Sequence, residues 1–283
     1  MGVSRRALLA LASVVCAGAC LGRSPTLEPG TRAVLFVRDA QLGTEHIEVQ
    51  LVRATGAPRP LLLYATGDGG WRSADRGLFQ HLARWGYPLA GFSARHYLEH
   101  LGFEATTPAH VAEDYRDLIA FAKKALALPD DTPTVLVGFS RGSGLAVVAA
   151  AQSGLQPLLG GVLAVALTEE EEYVRDDRTR RGRDPRKLSD RELSTLRPYE
   201  VLAGFDRLPL AVIQSTEDSY LPAARARQLF GPDGERRRFY SIRAGGHTFA
   251  GARDDLYEQA RLALEWIVAG GPKSDPFPAG RTR

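Results

Sequence analysis

The sequence predicts an α/β fold in which a mostly parallel sheet carries helices on both faces. Apolar strand-like runs alternate with amphipathic helix-like segments along the chain, which is the pattern of βαβ units. The run Leu61–Tyr64 is apolar at every position, as in a strand that is buried on both faces. The chain has 283 residues, 44% of them hydrophobic, which is enough to form one large domain with a single core.

Each element has its own signal. In the second strand Ile47, Val49 and Leu51 alternate with polar residues, as expected when one face is buried. Thr107 and Pro108 supply an N-cap and a proline at the first helical position. The predicted strands are Ala33–Val37, His46–Val52, Leu61–Tyr64, Pro88–Phe92, Thr134–Gly138, Gly161–Leu167, Leu210–Gln214 and Arg238–Ile242. Helices are predicted at 74–85, from Thr107 to Leu126, from Arg141 to Ala151 and at Leu256–Val268.

The first 20 residues have the pattern of an export signal of lipoprotein type. Arg5 and Arg6 precede an apolar run, and small residues precede Cys20. The segment 17–20 resembles a lipobox, in which Cys20 is acylated, and ordinary signal cleavage is the alternative. Residues 21–31 are rich in Pro, Gly and Ser and are expected to form a flexible tether. A single folded domain is assigned to 32–271, and 272–283 to a disordered tail.

Charge and composition exclude several classes of protein. The formal net charge of +3 falls to +1 when the leader with Arg5 and Arg6 is removed, so nothing indicates nucleic-acid binding. No apolar run of membrane-spanning length lies inside the body, which excludes a polytopic membrane protein. No cysteine follows Cys20, and neither a His-x-x-x-His pair nor a phosphate loop is present. We therefore expect no metal and no cofactor.

One segment interrupts the alternation of strands and helices. Residues 169–197 contain nine acidic and nine basic residues and few large apolar ones. They are interpreted as a charged insertion, about 168–206 in extent, which is either a solvated surface segment or a lid over an active site.

The segment Gly138-Phe139-Ser140-Arg141-Gly142 is a G-x-S-x-G motif. It directly follows a predicted strand and precedes a helix of small residues, which is the context that a nucleophile elbow requires. Ser140 is therefore the candidate nucleophile, and it needs a base to take its proton.

Two further residues complete a candidate catalytic triad. Of six histidines, His247 is the best candidate for the base because it lies in a Gly-rich loop between the last strand and the last helix. Asp218 is the candidate acid that orients His247, with Glu217 as its competitor. The order Ser, Asp, His along the chain is that of α/β-hydrolases.

The oxyanion of such a reaction needs preorganised backbone N–H donors. The residue after the nucleophile, Arg141, is expected to supply one of them. The loop with Gly67 and Asp68 should supply the other, with the N–H of Asp68 as the preferred donor.

The chain resembles the α/β-hydrolases and, more narrowly, the VirJ/AcvB bacterial virulence-protein family, from about residue 60 to residue 268. The resemblance rests on the segments 67–71 (GDGGW), 93–97 (SARHY), 107–108 with Asp114, 138–140 (GFS) and 245–247 (GGH). It implies an exported enzyme that hydrolyses the lysyl ester of lysyl-phosphatidylglycerol. The family often has Phe-Gly-Ala-Asp after the serine, whereas this chain continues with Arg141-Gly142-Ser143-Gly144. The lost acidic residue leaves Glu169–Glu172 as the possible source of negative charge for a lysyl group.

Three functions remain open at this stage. The first is an exported serine hydrolase acting on an ester, with an aminoacylated phospholipid as the implied substrate. The second is a generic carboxylesterase or lipase, and the third is a non-catalytic secretion or virulence accessory protein. The expected location is the periplasm, on the membrane surface through lipid on Cys20; the sequence does not reveal the oligomeric state.

Overall fold

The structure, a computed structural model, describes residues 33–43, 45–54, 57–100, 107–172, 195–205 and 207–270. An eight-stranded sheet forms its centre, with the strand order β1-β2-β4-β3-β5-β6-β9-β10. The strands are β1 (Ala33–Leu42), β2 (Glu45–Ala54), β3 (Leu61–Ala65), β4 (Leu89–Phe92), β5 (Thr134–Phe139), β6 (Leu159–Val165), β9 (Leu210–Ser215) and β10 (Arg237–Ile242).

All strand pairs from β4 to β10 in this order are parallel, whereas β1 and β2 are antiparallel to their neighbours. The predicted α/β fold with a mostly parallel sheet is therefore confirmed. β1 is longer than predicted, because it continues past Val37 to Leu42 and pairs along its whole length with β2. Its second half is polar and lies at the edge of the sheet, where pairing with one neighbour requires no continuous apolar run.

Helices cover both faces of the sheet. They are α1 (Ser73–Arg84), α2 (Ala94–His100), α3 (Pro108–Leu126), α4 (Arg141–Ala150), α5 (Ala223–Phe230) and α6 (Arg253–Val268). Apolar side chains of α1 and α6 form one buried cluster with one face of the sheet. Side chains of α2, α3, α4 and α5 form a second cluster on the opposite face. Each face is thus closed by its own set of helices, as the completely buried central strands require.

Some elements and boundaries differ from the predictions. The short helices α2 and α5 were not among the predicted helices, because seven and eight residues are too few to show a helical period. β6 runs from Leu159 to Val165 rather than from Gly161 to Leu167. Ala166 ends it by adopting a left-handed conformation with φ 54°. The final helix begins at Arg253, three residues before Leu256, because its first turn is polar and lacks an apolar signal.

The charged insertion is described only at its two ends. There β7 (Glu171–Glu172) pairs antiparallel with β8 (Thr195–Leu196), and a 3-10 segment, Pro198–Phe205, follows. Tyr199, Leu202 and Phe205 are buried, so the last part of the predicted 168–206 insertion belongs to the core. Residues 173–194, where a lid would lie, are outside the described residues, as are the predicted signal, the tether and residues 271–283.

The parallel strands place their carboxyl ends along one edge of the sheet. Loops at that edge therefore meet above the middle of the sheet, where sites of α/β proteins are usually built. The loops after β3, β5, β9 and β10 carry all the residues predicted to perform catalysis. In the described part of the chain, no helix is both long and apolar enough to span a bilayer.

Candidate active site

Ser140 lies at the turn between β5 and α4, in a backbone conformation that side chains rarely adopt. Its φ and ψ are 53° and −120°, and such strained residues cluster at active sites. The Ser140 N–H donates to the carbonyl of Val165 at 2.8 Å, which fixes the turn to the end of β6. The geometry is that of a nucleophile elbow, with the hydroxyl lifted from the edge of the sheet.

Three glycines make this elbow sterically possible. A Cβ on Gly138 would collide with the backbone of Gly142, and a Cβ on Gly142 would collide with the carbonyl of Ala65. A Cβ on Gly67 would lie 3.3 Å from the Cβ of Ser140. Glycine is required at 138 and 142 because backbone approaches these positions too closely for any side chain, whereas a side chain at 67 would force its neighbours to shift by a few tenths of an ångström.

The structure brings His247 to Ser140. The distance from His247 Nε2 to Ser140 Oγ is 2.7 Å. His247 lies in a turn closed by the Gly245 N–H, which donates to the Ala250 carbonyl at 3.0 Å. The neighbouring Gly246 has φ 86°, a value that glycine adopts without strain. The loop between β10 and α6 therefore holds the imidazole over the nucleophile.

Asp218 occupies the other side of the imidazole. Its carboxylate oxygens lie 2.8 and 3.0 Å from His247 Nδ1. Because an ionised carboxylate can only accept, the Nδ1 atom carries the hydrogen and Nε2 is left to accept from the Ser140 hydroxyl. The side chain of Asp218 is completely buried and that of His247 is 13% exposed.

Further donors hold the buried carboxylate of Asp218. The backbone N–H groups of Tyr220 and Leu221 donate to its Oδ1 at 2.9 and 3.3 Å. Gln214 Nε2 donates to its Oδ2 at 3.0 Å and also to the Leu221 carbonyl. Several hydrogen bonds to one carboxylate offset the cost of burying it and fix its orientation.

The other candidates lie elsewhere. Glu217, the competitor for the acid position, is exposed, and no hydrogen bond joins it to His247 among the described residues. His46 and His110 are exposed, and the ring of His81 stacks on Tyr257. The structure therefore assembles Ser140, His247 and Asp218 and leaves these residues out.

The loop after β3 lies beside the nucleophile, as the oxyanion prediction requires. The Asp68 carboxylate forms an ion pair with Arg141 at 3.4 Å, so the two predicted donor residues are neighbours. The prediction for Gly67 needs a correction, because its N–H donates to the carboxylate of Asp75 at 2.9 Å. Gly67 thus contributes close approach to Ser140, and the N–H groups of Asp68 and Arg141 remain the candidate donors.

Sequence reasoning missed three residues of this site. Gln214 supports Asp218, and Asp75 binds the oxyanion loop. The ring of Tyr220 lies 4.7 Å from the His247 ring in an edge-to-face arrangement, although 73% of the residue is exposed. The signal for Gln214 was a polar residue at the end of an otherwise apolar strand, whereas nothing in the sequence distinguished Asp75 from a helix-capping carboxylate.

Among the described residues, no group of three or more His, Cys, Asp or Glu side chains could hold a metal ion. The groups that the structure brings together at this site are a serine, an imidazole, a carboxylate and backbone N–H groups.

Known proteins resemble the chain in sequence and in fold. Residues 60–158 match the family model described as "Bacterial virulence protein (VirJ)". Est1E from Butyrivibrio proteoclasticus superposes with a TM-score of 0.58 at 13% identity, over 82% of this chain and 99% of that chain. The chain therefore has the α/β-hydrolase fold and is similar to the VirJ family over residues 60–158. The predicted fold is confirmed, and so is the predicted resemblance to VirJ over those residues.

Two further solved structures share the fold of this chain. A dienelactone hydrolase from Anabaena variabilis gives a TM-score of 0.57 at 17% identity, over 85% of this chain and all of that chain. An acylaminoacyl peptidase from Pyrococcus horikoshii gives 0.62 at 14% identity, over 89% of this chain and 43% of that chain. No curated protein matches the chain in sequence.

The VirJ match ends before β6. Ser140 and the oxyanion loop lie inside the matched residues, whereas Asp218 and His247 lie outside them. The assignment of these two residues therefore depends on the geometry described above rather than on the family match.

Proposed function

We propose that this protein, which has the α/β-hydrolase fold, is a serine hydrolase that cleaves esters. The observation that carries the proposal is the continuous hydrogen-bonded chain from Ser140 Oγ through the His247 ring to Asp218, with distances of 2.7 and 2.8 Å. This arrangement gives a weak nucleophile a base and gives the base an orienting carboxylate.

In the proposed reaction Ser140 Oγ forms a bond to the carbonyl carbon of the ester while His247 Nε2 takes the hydroxyl proton. The N–H groups of Asp68 and Arg141 donate to the resulting oxyanion, and the amino end of α4 adds a favourable dipole. The tetrahedral intermediate then collapses, and the bond to the leaving oxygen breaks while imidazolium gives that oxygen a proton, so that it departs as the alcohol. Water attacks the acyl-enzyme with His247 as base, which releases the carboxylic acid and restores Ser140.

Covalent labelling with a fluorophosphonate tests the proposal. The wild type should become labelled at Ser140, and the variants Ser140→Ala and His247→Ala should show labelling reduced to background. A matched control is Ser143→Ala, because the Ser143 hydroxyl is buried between α4 and β6 and bonds to Val165. A folded wild type that resists labelling at every concentration would support the accessory-protein alternative instead.

For the substrate, we propose the lysyl ester of an aminoacylated phosphatidylglycerol. The support is the VirJ match together with the family resemblance of the sequence motifs. In this reaction Ser140 would attack the lysyl carbonyl, and phosphatidylglycerol would be the leaving alcohol. Vesicles containing lysyl-phosphatidylglycerol should lose that lipid when incubated with the wild type, and Ser140→Ala should leave it intact in lipid mass spectrometry.

A generic carboxylesterase is the second candidate, and the charges around the site favour it over a strictly lysyl-specific enzyme. Glu169 lies 3.2 Å from Arg225 and Glu170 lies 2.9 Å from Arg197. Each of these acidic side chains is therefore paired with an arginine, and such a pair provides little net attraction for a cationic head group. A ratio of kcat/KM that favours neutral short-chain esters over lysyl esters would establish this alternative.

We also propose that the protein is exported and held at the periplasmic face of a membrane by lipid on Cys20. The support comes from the sequence pattern before Cys20 and from the Pro, Gly and Ser content of residues 21–31. A lipoprotein carries more than one acyl chain, which is what stable anchoring needs. Cys20→Ser should move the protein from the membrane to the soluble fraction, with hydrolysis of a soluble ester unchanged; a soluble wild type would refute the anchor.

A further inference from the structure

The carboxylate of Asp75 lies directly beneath the candidate oxyanion loop. Asp75 is in the first turn of α1, and only 4% of the residue is exposed. Its Oδ1 accepts from the Gly67 N–H at 2.9 Å and from the Tyr64 hydroxyl at 3.2 Å. Neither partner is a cation, so a buried carboxylate is held here by neutral donors.

The carbonyl side of Gly67 is fixed as well. It accepts from the Gly70 N–H at 3.0 Å and from the Thr66 hydroxyl at 3.0 Å. The Thr66 oxygen in turn accepts from the Ala94 N–H at 3.1 Å, which links the loop to the start of α2. Both ends of the Gly67 residue are therefore restrained by buried hydrogen bonds.

These restraints determine where the Asp68 N–H points. The Gly67 carbonyl and the Asp68 N–H belong to one planar trans peptide, so they point in opposite directions. Fixing Gly67 consequently fixes the direction of the Asp68 donor. Gly67 also lies against Ser140, where an added Cβ would come within 3.3 Å of the serine Cβ, so any shift of Gly67 changes the distance from donor to nucleophile.

We infer that Asp75 is a positioning residue for the oxyanion hole, holding the Gly67–Asp68 peptide at the place where the substrate oxygen gains charge. The inference rests on the proposed ester hydrolase function. Hydrogen bonds weaken steeply as their angles depart from linear, and a donor aimed before the reaction starts needs no reorganisation during it. Asp75 touches no reacting atom and acts only through Gly67.

The charged groups around Asp75 agree with this role. Tyr64 on β3 donates to it, and the charge of protonated His247 in the β10–α6 loop stabilises its ionised form. Burial and the charge of Asp75 raise the pKa of the Tyr64 hydroxyl, and Tyr257 on α6 adds to this effect. Burial raises the pKa of Asp75 to about 6, so the residue is ionised at neutral pH and can favour the imidazolium that forms during catalysis.

The variants Asp75→Ala and Asp75→Asn test the inference, with a soluble chromogenic ester as the substrate. Removing one oxyanion donor costs about 10²–10³ in kcat. Displacing a donor should cost less, so we expect kcat to fall by roughly 10- to 100-fold in Asp75→Ala and by about 3- to 10-fold in Asp75→Asn. KM should stay within about threefold, because the interaction is made chiefly in the transition state.

A matched control is Asp114→Asn. Asp114 is also a partly buried carboxylate that accepts from a tyrosine hydroxyl, that of Tyr97 at 2.6 Å, and burial raises its pKa as well. Asp114→Asn should leave kcat within about twofold, because no bond joins Asp114 to the loop between β3 and α1 among the described residues. An equal loss of kcat in the control would show that any buried carboxylate matters, and would overturn the inference.

A second readout separates the inference from the proposed function. Amide hydrogen exchange followed by NMR should show the Gly67 N–H protected in the wild type and exchanging at least about tenfold faster in Asp75→Ala, with α3 unchanged. Unchanged kcat and unchanged Gly67 exchange in a folded variant would refute the positioning role. A wild type without esterase activity or labelling would refute the proposed function instead, and the exchange result would still decide whether Asp75 holds the loop. If Asp75→Ala does not fold, the isosteric Asp75→Asn decides by the same measurements.

Discussion

The buried carboxylate of Asp75 should make the free energy of unfolding depend on pH. The substitution Asp75→Asn should remove this contribution. Burial raises its pKa from 3.8 to about 6 in the folded protein, because the charged form is poorly solvated there. The unfolded chain has the ordinary value near 3.8. Between pH 4 and pH 6 the unfolded chain has therefore lost a proton that the folded protein still holds.

The sign and size of the effect follow from this difference. When the folded state binds more protons, the free energy of unfolding falls as pH rises. The stabilisation is complete below pH 4 and is lost as the pH passes through about 6. A difference of about two pKa units corresponds to roughly 3 kcal/mol, which is a large share of the 5–15 kcal/mol that typically separates folded from unfolded proteins.

Urea denaturation of the wild type and of Asp75→Asn at pH 4, 5, 6, 7 and 8 measures this directly. The carboxamide cannot ionise, so the stability of the variant relative to the wild type should rise by about 2–2.5 kcal/mol from pH 4 to pH 7, most of the full effect, and then level off. Any pH-independent cost of fitting the amide cancels from this comparison. The tryptophans provide the fluorescence signal, since Trp71 is buried beside Tyr64 in the same region.

If the free energy of unfolding depends on pH in the same way in the two proteins, Asp75 has the same pKa in the folded and unfolded states. The argument from burial would then be wrong. A change in the opposite direction would mean that the Gly67 and Tyr64 hydrogen bonds outweigh desolvation. The same variant should therefore differ from the wild type in two ways. Asp75→Asn should be more stable than the wild type at neutral pH and yet less active. That exchange of stability for activity is common where a site keeps a strained or poorly solvated group.

Three further predictions concern the triad and its surroundings. Ser140→Ala and His247→Ala should each lower kcat by several orders of magnitude, and steady-state assays should find the double variant little worse than either single one, whereas additive losses would contradict a concerted role. Asp218→Asn should lower kcat by roughly 10³–10⁴-fold and Glu217→Gln by less than about twofold; the reverse order would reassign the acid. Tyr220→Ala should raise KM for bulky esters about 3- to 10-fold and leave kcat for a small ester nearly unchanged; an equal effect on both substrates would show that the ring only supports His247.

Much of the fold could be predicted because its central strands have no polar face. Leu61–Tyr64 and Leu210–Gln214 were located to within one residue, since continuous apolar runs bounded by turn residues leave few alternatives. The long helix from Pro108 was located by its cap and its stripe of apolar residues. Prediction failed where the signal is short or polar, as in α2 and in the second half of β1, because tertiary contacts rather than local sequence stabilise these pieces.

The candidate site was predictable where chemistry demands particular residues at particular turns. The placement of Ser140, Asp218 and His247 after predicted strands anticipated the three side chains that the structure brings into hydrogen-bonding distance. The supporting partners were not predictable in the same way. Gln214 binds Asp218 four residues away and Asp75 binds Gly67 eight residues away, each across a turn. A lone polar residue in a sequence does not indicate which group it will bind once such a turn has formed.

The crowding around Ser140 also limits how such an enzyme can diversify. Gly138 and Gly142 each lie against backbone too closely for any side chain, so almost any mutation at these two positions removes the reaction rather than retunes it. Exposed side chains that can vary without disturbing that framework lie farther out, on the loop with Tyr220 and at Glu169 and Glu170 after β6. Evolution of new substrate preferences on this scaffold is therefore confined to its periphery, and libraries that randomise those outer loops should yield altered selectivity far more often than libraries aimed at the elbow.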